Sequence, residues 1–133
     1  MANLKVVKDW ISLANTDLIG AKALFEMGEN FFGLAAFHSQ QSAEKSIKAY
    51  LVFQSVRVPK SHDIGNLLEL VNLKDKDLFK LLSPCVELTD YAVAYRYPDS
   101  QKKPLEKNEV AIAIQQAEFA HTEILKLIKL DEI

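Results

Sequence analysis

The sequence predicts an all-α fold, an up-down four-helix bundle with one additional short helix. Three observations point there. Apolar residues return at steps of three and four through four long stretches, which places each set on one helical face. The strict alternation of apolar and polar residues that marks a strand is not found. Prolines stand between the periodic stretches at Pro59, Pro98 and Pro104, with Pro84 the exception. With 133 residues and neither repeats nor a linker-like segment, the chain reads as one domain over residues 1–133.

The first helix is expected from Lys5 to Met27. Val7, Trp10, Leu13 or Ala14, Leu18, Ala21, Leu24 and Phe25 make its apolar stripe, with Asp9, Asp17, Lys22 and Glu26 off it. Gly28 is placed to end it, because glycine accepts the backbone of a helix C-terminus. The short link after it turns the chain back antiparallel. The second helix, within Phe32 to Val56, is the rod on which the others are expected to pack. Phe32, Ala35, Ala36, Ala43, Ile47, Tyr50, Leu51 and Phe53 fall on its broad apolar side. His38, Gln41, Lys45 and Lys48 fall on another side as a polar stripe roughly 15 Å long.

Pro59 holds Val58 extended and closes that rod. A short helix comes next, from about Asp63 to Asn72, capped by Ser61 or Asp63, with Ile64, Leu67, Leu68 and Val71 inward. Asp75 or Asp77 caps a fourth helix to Ala94, whose buried line is Leu78, Leu81, Leu82, Cys85, Leu88 or Thr89, and Ala92. Pro84 should kink or split it. Tyr95 to Pro104 is a polar, proline-bearing loop. Leu105 to Leu130 is the last helix, with Val110, Ile114, Ala117, His121, Leu125 and Ile128 inward.

A net charge of −2 argues against a general polyanion binder, so any phosphate site has to be a local patch. Arginine suits bidentate phosphate contacts, which singles out Arg57 and Arg96 among mostly lysine cations. Cys85 is the lone cysteine, so no intrachain disulfide can form, and its apolar setting reads as packing. The N-terminus lacks a signal-peptide pattern and no apolar run approaches the roughly 20 residues of a membrane span. The expected location is cytoplasmic.

Three constellations can carry chemistry. The stripe of His38, Gln41, Lys45 and Lys48 combines ammonium charge with hydrogen-bonding groups able to meet an anion; the plain alternative is a solvated face. His62 and Asp63 open a helix whose N–H groups can receive an anion, though capping alone explains these residue types. Arg96 stands among Tyr91, Tyr95 and Tyr97, rings able to stack on a base, with Pro98 fixing the backbone; an Arg96–Asp99 pair anchoring the loop explains the segment equally well. The histidines His38, His62 and His121 lack zinc-site spacing, and no Gly-rich phosphate loop or nucleophile elbow is present.

FHSQQSAEKSIKAYL, SHDIGNLLEL and YAVAYRYPD, in this order and at these intervals, resemble the HEPN family, named for higher eukaryotes and prokaryotes nucleotide-binding. The resemblance covers nearly the whole chain. It implies a bundle of four or five helices like the substrate-binding subunits of nucleotidyltransferases, usually a homodimer. It also implies a minimal nucleotidyltransferase as partner, in a toxin–antitoxin-like module. The family's positions fall on His38, Gln41, Glu44, Lys45, Lys48, His62, Asp63, Arg96, Tyr97 and Pro98.

Many members are metal-independent ribonucleases marked by an arginine followed, after four to six residues, by a histidine. After Arg96 the corresponding positions hold Gln101, Lys102 and Lys103. Arg57 and His62 match the spacing only between the second and third helices, which reads as chance. The expectation is therefore a non-catalytic, cofactor-free nucleotide- or RNA-binding protein. Lys45, Lys48 and Arg96 would meet phosphate, Tyr95 or Tyr97 would stack on a base, and His38 and His62 would supply hydrogen bonds. The alternatives are a ribonuclease toxin using Arg96 with His38 or His62, and a purely structural dimeric subunit.

Overall fold

The computed structural model describes residues 2–92 and 104–128, and among them every regular element is helical. Helix α1 runs Leu4–Glu26, capped by Asn3, whose side chain accepts from the Val6 N–H. It ends at Met27, and Gly28 comes next with φ 106°, a left-handed value that disfavours a side chain. A single 3-10 turn, Glu29–Phe31, then leads into α2, Phe32–Phe53.

Beyond α2 the Val56 N–H reaches the Leu51 carbonyl and the Ser55 N–H reaches Val52. This closes the helix as a Schellman turn, with Ser55 at φ 59° in the position glycine usually fills. A left-handed non-glycine residue costs about 1–2 kcal/mol, partly offset by the greater unfolded-state freedom of glycine. Ser55→Gly is therefore expected to stabilise the fold by about 0.5–1 kcal/mol, read as a higher urea midpoint with unchanged slope.

Helix α3, Ile64–Asn72, is capped by Asp63, which accepts from the Asn66 N–H. Helix α4 is Lys76–Leu82, capped by Asp75. The expected fourth helix does not continue to Ala94. Pro84 cannot donate to the α ladder and its ring crowds the preceding turn, so α4 ends at Leu82 and a 3-10 segment spans Ser83–Ala92. Leu82, Cys85, Leu88 and Tyr91 succeed one another at steps of three, the 3-10 period, and pack on the core. Leu81, expected inside, is half exposed. Helix α5, Lys107–Ile128, completes the bundle.

Helix α2 is the hub and packs against α1, α5, α3 and the 3-10 segment. Its buried residues go round the helix rather than lying on one side: Ser39, Gln40, Ser42, Glu44, Ser46 and Lys48 are buried along with its alanines, Ile47, Tyr50 and Leu51. Short side chains make this close approach possible. Ser42 Oγ, for example, donates to the Ala14 carbonyl of α1 at 2.8 Å. On α1 the register resolves to Val7, Ile11, Ala14, Leu18 and Ala21, with Leu13 outside. No described helix is long and apolar enough to cross a membrane.

Candidate functional site: a carboxylate-centred polar cluster on α2

The polar stripe of α2 does not stand open to solvent as a row of cations. Asp17 of α1, which the periodicity of its own helix places off the apolar stripe, faces α2 and takes two of its residues. Lys45 Nζ donates to Asp17 Oδ2 at 2.7 Å, and His38 Nδ1 lies 2.9 Å from Oδ1. One turn on, Glu44 gathers three partners. Lys48 Nζ donates at 2.9 Å, Gln40 Nε2 donates at 3.0 Å, and His62 Nδ1 lies 3.0 Å and 3.2 Å from its two oxygens. Gln41 joins the same chain by donating to Gln40 Oε1.

The two halves differ in depth. Glu44 and Lys48 side chains are 3% and 7% exposed, and the Lys48 ammonium lies 5.5 Å from the centre of the Trp10 ring. Lys48 is therefore enclosed rather than presented to a ligand. Lys45 and His38 keep 21% and 34% of their side-chain surface, and His62 keeps 72%. Two carboxylates face two ammonium groups, so these four charges balance. Burial pushes the Glu44 carboxyl up, but hydrogen bonds from Lys48, Gln40 and His62 outweigh it and hold the group below its usual range.

The corner before α3 is fixed from both sides. Gln40 Nε2 donates to the His62 carbonyl at 3.2 Å while Glu44 holds the ring. Ser61 Oγ accepts from the Asp63 N–H, and Asp63 itself caps α3. Asp63 is thus engaged by the backbone. His121 lies apart, buried on α5 against Ser46 Oγ at 3.1 Å, where burial pushes its imidazole down. Cys85 is buried, and desolvation raises its thiol to about 12, in keeping with packing. Tyr95, Arg96 and Tyr97, and with them the expected approach of Arg96 to the stripe, lie outside the described residues.

The structure thus gathers His38 and Lys45 on Asp17, and Lys48, His62 and, through Gln40, Gln41 on Glu44, and it adds Asp17 and Gln40 to the residues expected from the sequence. Glu44 and Lys48 carry a legible signal, the i,i+4 spacing of an ion pair. Asp17 carries none, since only tertiary packing aims it at α2. No group of three or more metal-ligating residues occurs among those described. A cavity of about 690 Å³ beside Phe25, Phe32 and Leu105 shares no residue with the cluster, and Glu26, Glu29 and Glu106 outnumber Lys107 in its lining, which disfavours an anion.

Comparison with known proteins matches the chain to a family. A profile of the HEPN domain matches residues 7–128. A Methanocaldococcus jannaschii protein named "Putative toxin MJ1304" is 32% identical over 104 residues, which cover 73% of this chain and 66% of that protein. The crystal structure of TT1696 from Thermus thermophilus superposes with a TM-score of 0.75 at 23% identity, covering 90% of this chain and 96% of that one; it shares the fold. The crystal structure of ST0689, described as an archaeal HEPN homologue, gives a TM-score of 0.68 at 25% identity, covering 92% and 97%. With the profile spanning α1 to α5, the chain belongs to the HEPN domain family.

Proposed function

We propose that this chain is the nucleotide- or RNA-binding HEPN component of a toxin–antitoxin-like module, paired with a minimal nucleotidyltransferase and without catalytic activity of its own. The observation that carries the reading is the polar cluster, where partly exposed Lys45 and His38 and exposed His62 surround fully hydrogen-bonded carboxylates. The relative named as a toxin supports the biological setting. Lys45 and Arg96 meet phosphate, Tyr95 or Tyr97 stacks on the base, and His38, Gln41 and His62 supply hydrogen bonds. Lys48 and Asp63 act from behind, one anchoring Glu44 and the other fixing the start of α3.

Melting in the presence of nucleoside mono-, di- and triphosphates tests this, because a ligand that binds only the folded state raises the melting temperature. Lys45→Ala should abolish the rise. Asp17→Asn should enlarge it, because Lys45 loses the carboxylate that neutralises it. The expected gain in affinity is roughly fivefold, or about 1 kcal/mol, and should fade with added salt. No rise with any nucleotide, together with no complex on co-expression with the nucleotidyltransferase, would remove the reading. Cleavage of RNA by the purified chain, lost in Arg96→Ala, would replace it with the ribonuclease one.

A homodimer forms part of the same proposal, and one feature favours it. Leu81, Val86, Ile112, Phe119 and Leu127 are each more than 40% exposed on α4, the 3-10 segment and α5. A groove of about 420 Å³ lined by Leu81, Pro84, Ile112 and Phe119 runs between these elements. Phe119→Glu is expected to shift the chain from dimer to monomer in light scattering without lowering its helicity. A wild-type monomer at micromolar concentration would end the dimer proposal.

A further inference from the structure

The Glu44–His62 contact fixes more than the position of a ring. Glu44 is 3% exposed and already receives Lys48 and Gln40, and its carboxyl is held in the ionised form. An ionised carboxylate has no proton to give. The contacts of 3.0 Å and 3.2 Å to His62 Nδ1 therefore require Nδ1 to carry the hydrogen. In the neutral imidazole the other nitrogen, Nε2, is then a bare acceptor, and the side chain that bears it is 72% exposed. Gln40 fixes the backbone that carries the ring by donating to the His62 carbonyl. A buried carboxylate, a buried amide and a capped helix start thus hold one outward-facing lone pair at the edge of the cluster.

We infer that Glu44 and Gln40 are positioning residues that present His62 Nε2 as a hydrogen-bond acceptor, and that the ligand group it reads is a hydroxyl donor of a nucleotide sugar rather than a phosphate oxygen. This rests on the nucleotide-binding reading and divides its roles. An unprotonated Nε2 cannot donate to a phosphate oxygen, so anion contact falls to Lys45, and His62 reads the sugar. Acceptance from a sugar hydroxyl by a fixed neutral partner is a neutral hydrogen bond of about 0.7–1.4 kcal/mol, or roughly threefold to tenfold in affinity.

The tautomer is read first, without ligand, from long-range nitrogen–proton correlations of the His62 ring at a pH above the ordinary imidazole value of about 6.5. The Nδ1–H form is expected in the wild type, and the Nε2–H form in the double variant Glu44→Gln/Lys48→Met, which leaves no ammonium unpaired. A wild-type ring in the Nε2–H form overturns the inference whatever binds. The four ribonucleoside monophosphates and their 2′,3′-dideoxy analogues are then titrated. The ribose forms are expected to move Nε2 and to bind threefold to tenfold tighter than the dideoxy forms, a difference lost in the exposed-site variant His62→Ala. Equal affinity of ribose and dideoxy forms overturns the inference while leaving nucleotide binding intact. Absence of binding by all of them overturns the nucleotide reading and the sugar contact together, whereas the ligand-free tautomer still decides whether Glu44 and Gln40 set the ring.

Discussion

Glu44→Gln is expected to destabilise the fold by about 3–5 kcal/mol, the range for removing one partner of a buried ion pair. The reason lies in what remains. Lys48 is 7% exposed, and in Glu44→Gln its ammonium has no countercharge, only a neutral amide oxygen and the face of Trp10 at 5.5 Å. That contact is worth about 0.5–2 kcal/mol and does not replace the solvation the group has lost. Lys48→Met should cost less, because Glu44 keeps Gln40 and His62 as donors. The double variant Glu44→Gln/Lys48→Met should be clearly more stable than Glu44→Gln alone, since the stranded charge is gone. Urea unfolding of the four proteins at neutral pH gives the cycle, and a coupling of at least about 1 kcal/mol is expected. Strict additivity would mean that the pair is not buried in solution.

The bundle was legible because its long helices obey one rule, an apolar residue every three or four positions. Val7, Ala14, Leu18 and Ala21 on α1 and Val110, Ile114, Ala117 and Ile128 on α5 lie where that period puts them. The rule fails on α2 for a physical reason. A surface helix has a core side and a water side, but α2 is enclosed by α1, α3, α5 and the 3-10 segment. Its polar residues therefore face protein, and each finds a partner there. No buried side-chain nitrogen or oxygen among the described residues lacks a hydrogen bond. Periodicity can say that His38, Gln41, Lys45 and Lys48 share a face, but it cannot say that the face meets Asp17. That depends on how α1 is rotated about its axis. Likewise Pro84 announces a break, yet the 3-10 period of the segment after α4 is set by Leu82, Cys85, Leu88 and Tyr91 finding the core.

The second large effect belongs to the Ser46–His121 pair, which ties α2 to α5 inside the core. His121→Leu should cost about 1–3 kcal/mol above neutral pH, because it leaves the fully buried Ser46 hydroxyl without its partner. Ser46→Ala with His121→Leu should recover part of this, since neither polar group is then stranded. The pair also sets a pH dependence of definite sign. Burial holds the folded-state imidazole below its ordinary 6.5, so the fold favours the neutral ring. Above 6.5 both folded and unfolded chains carry it neutral and its titration adds nothing. As the pH falls below 6.5 the unfolded chain takes up a proton that the folded chain refuses, and stability declines until the folded value is passed. Glu44 acts later. Its folded value lies below the ordinary 4.5, so its contribution is complete above 4.5 and is lost as the pH falls through the folded value. Urea midpoints of the wild type should begin to drop just below pH 6.5 and drop further below 4.5. In His121→Leu the first decline should vanish while the second stays, so the gap between variant and wild type narrows on acidification. A first decline of unchanged size in the variant would mean that His121 is not its source and would place His121 in contact with water.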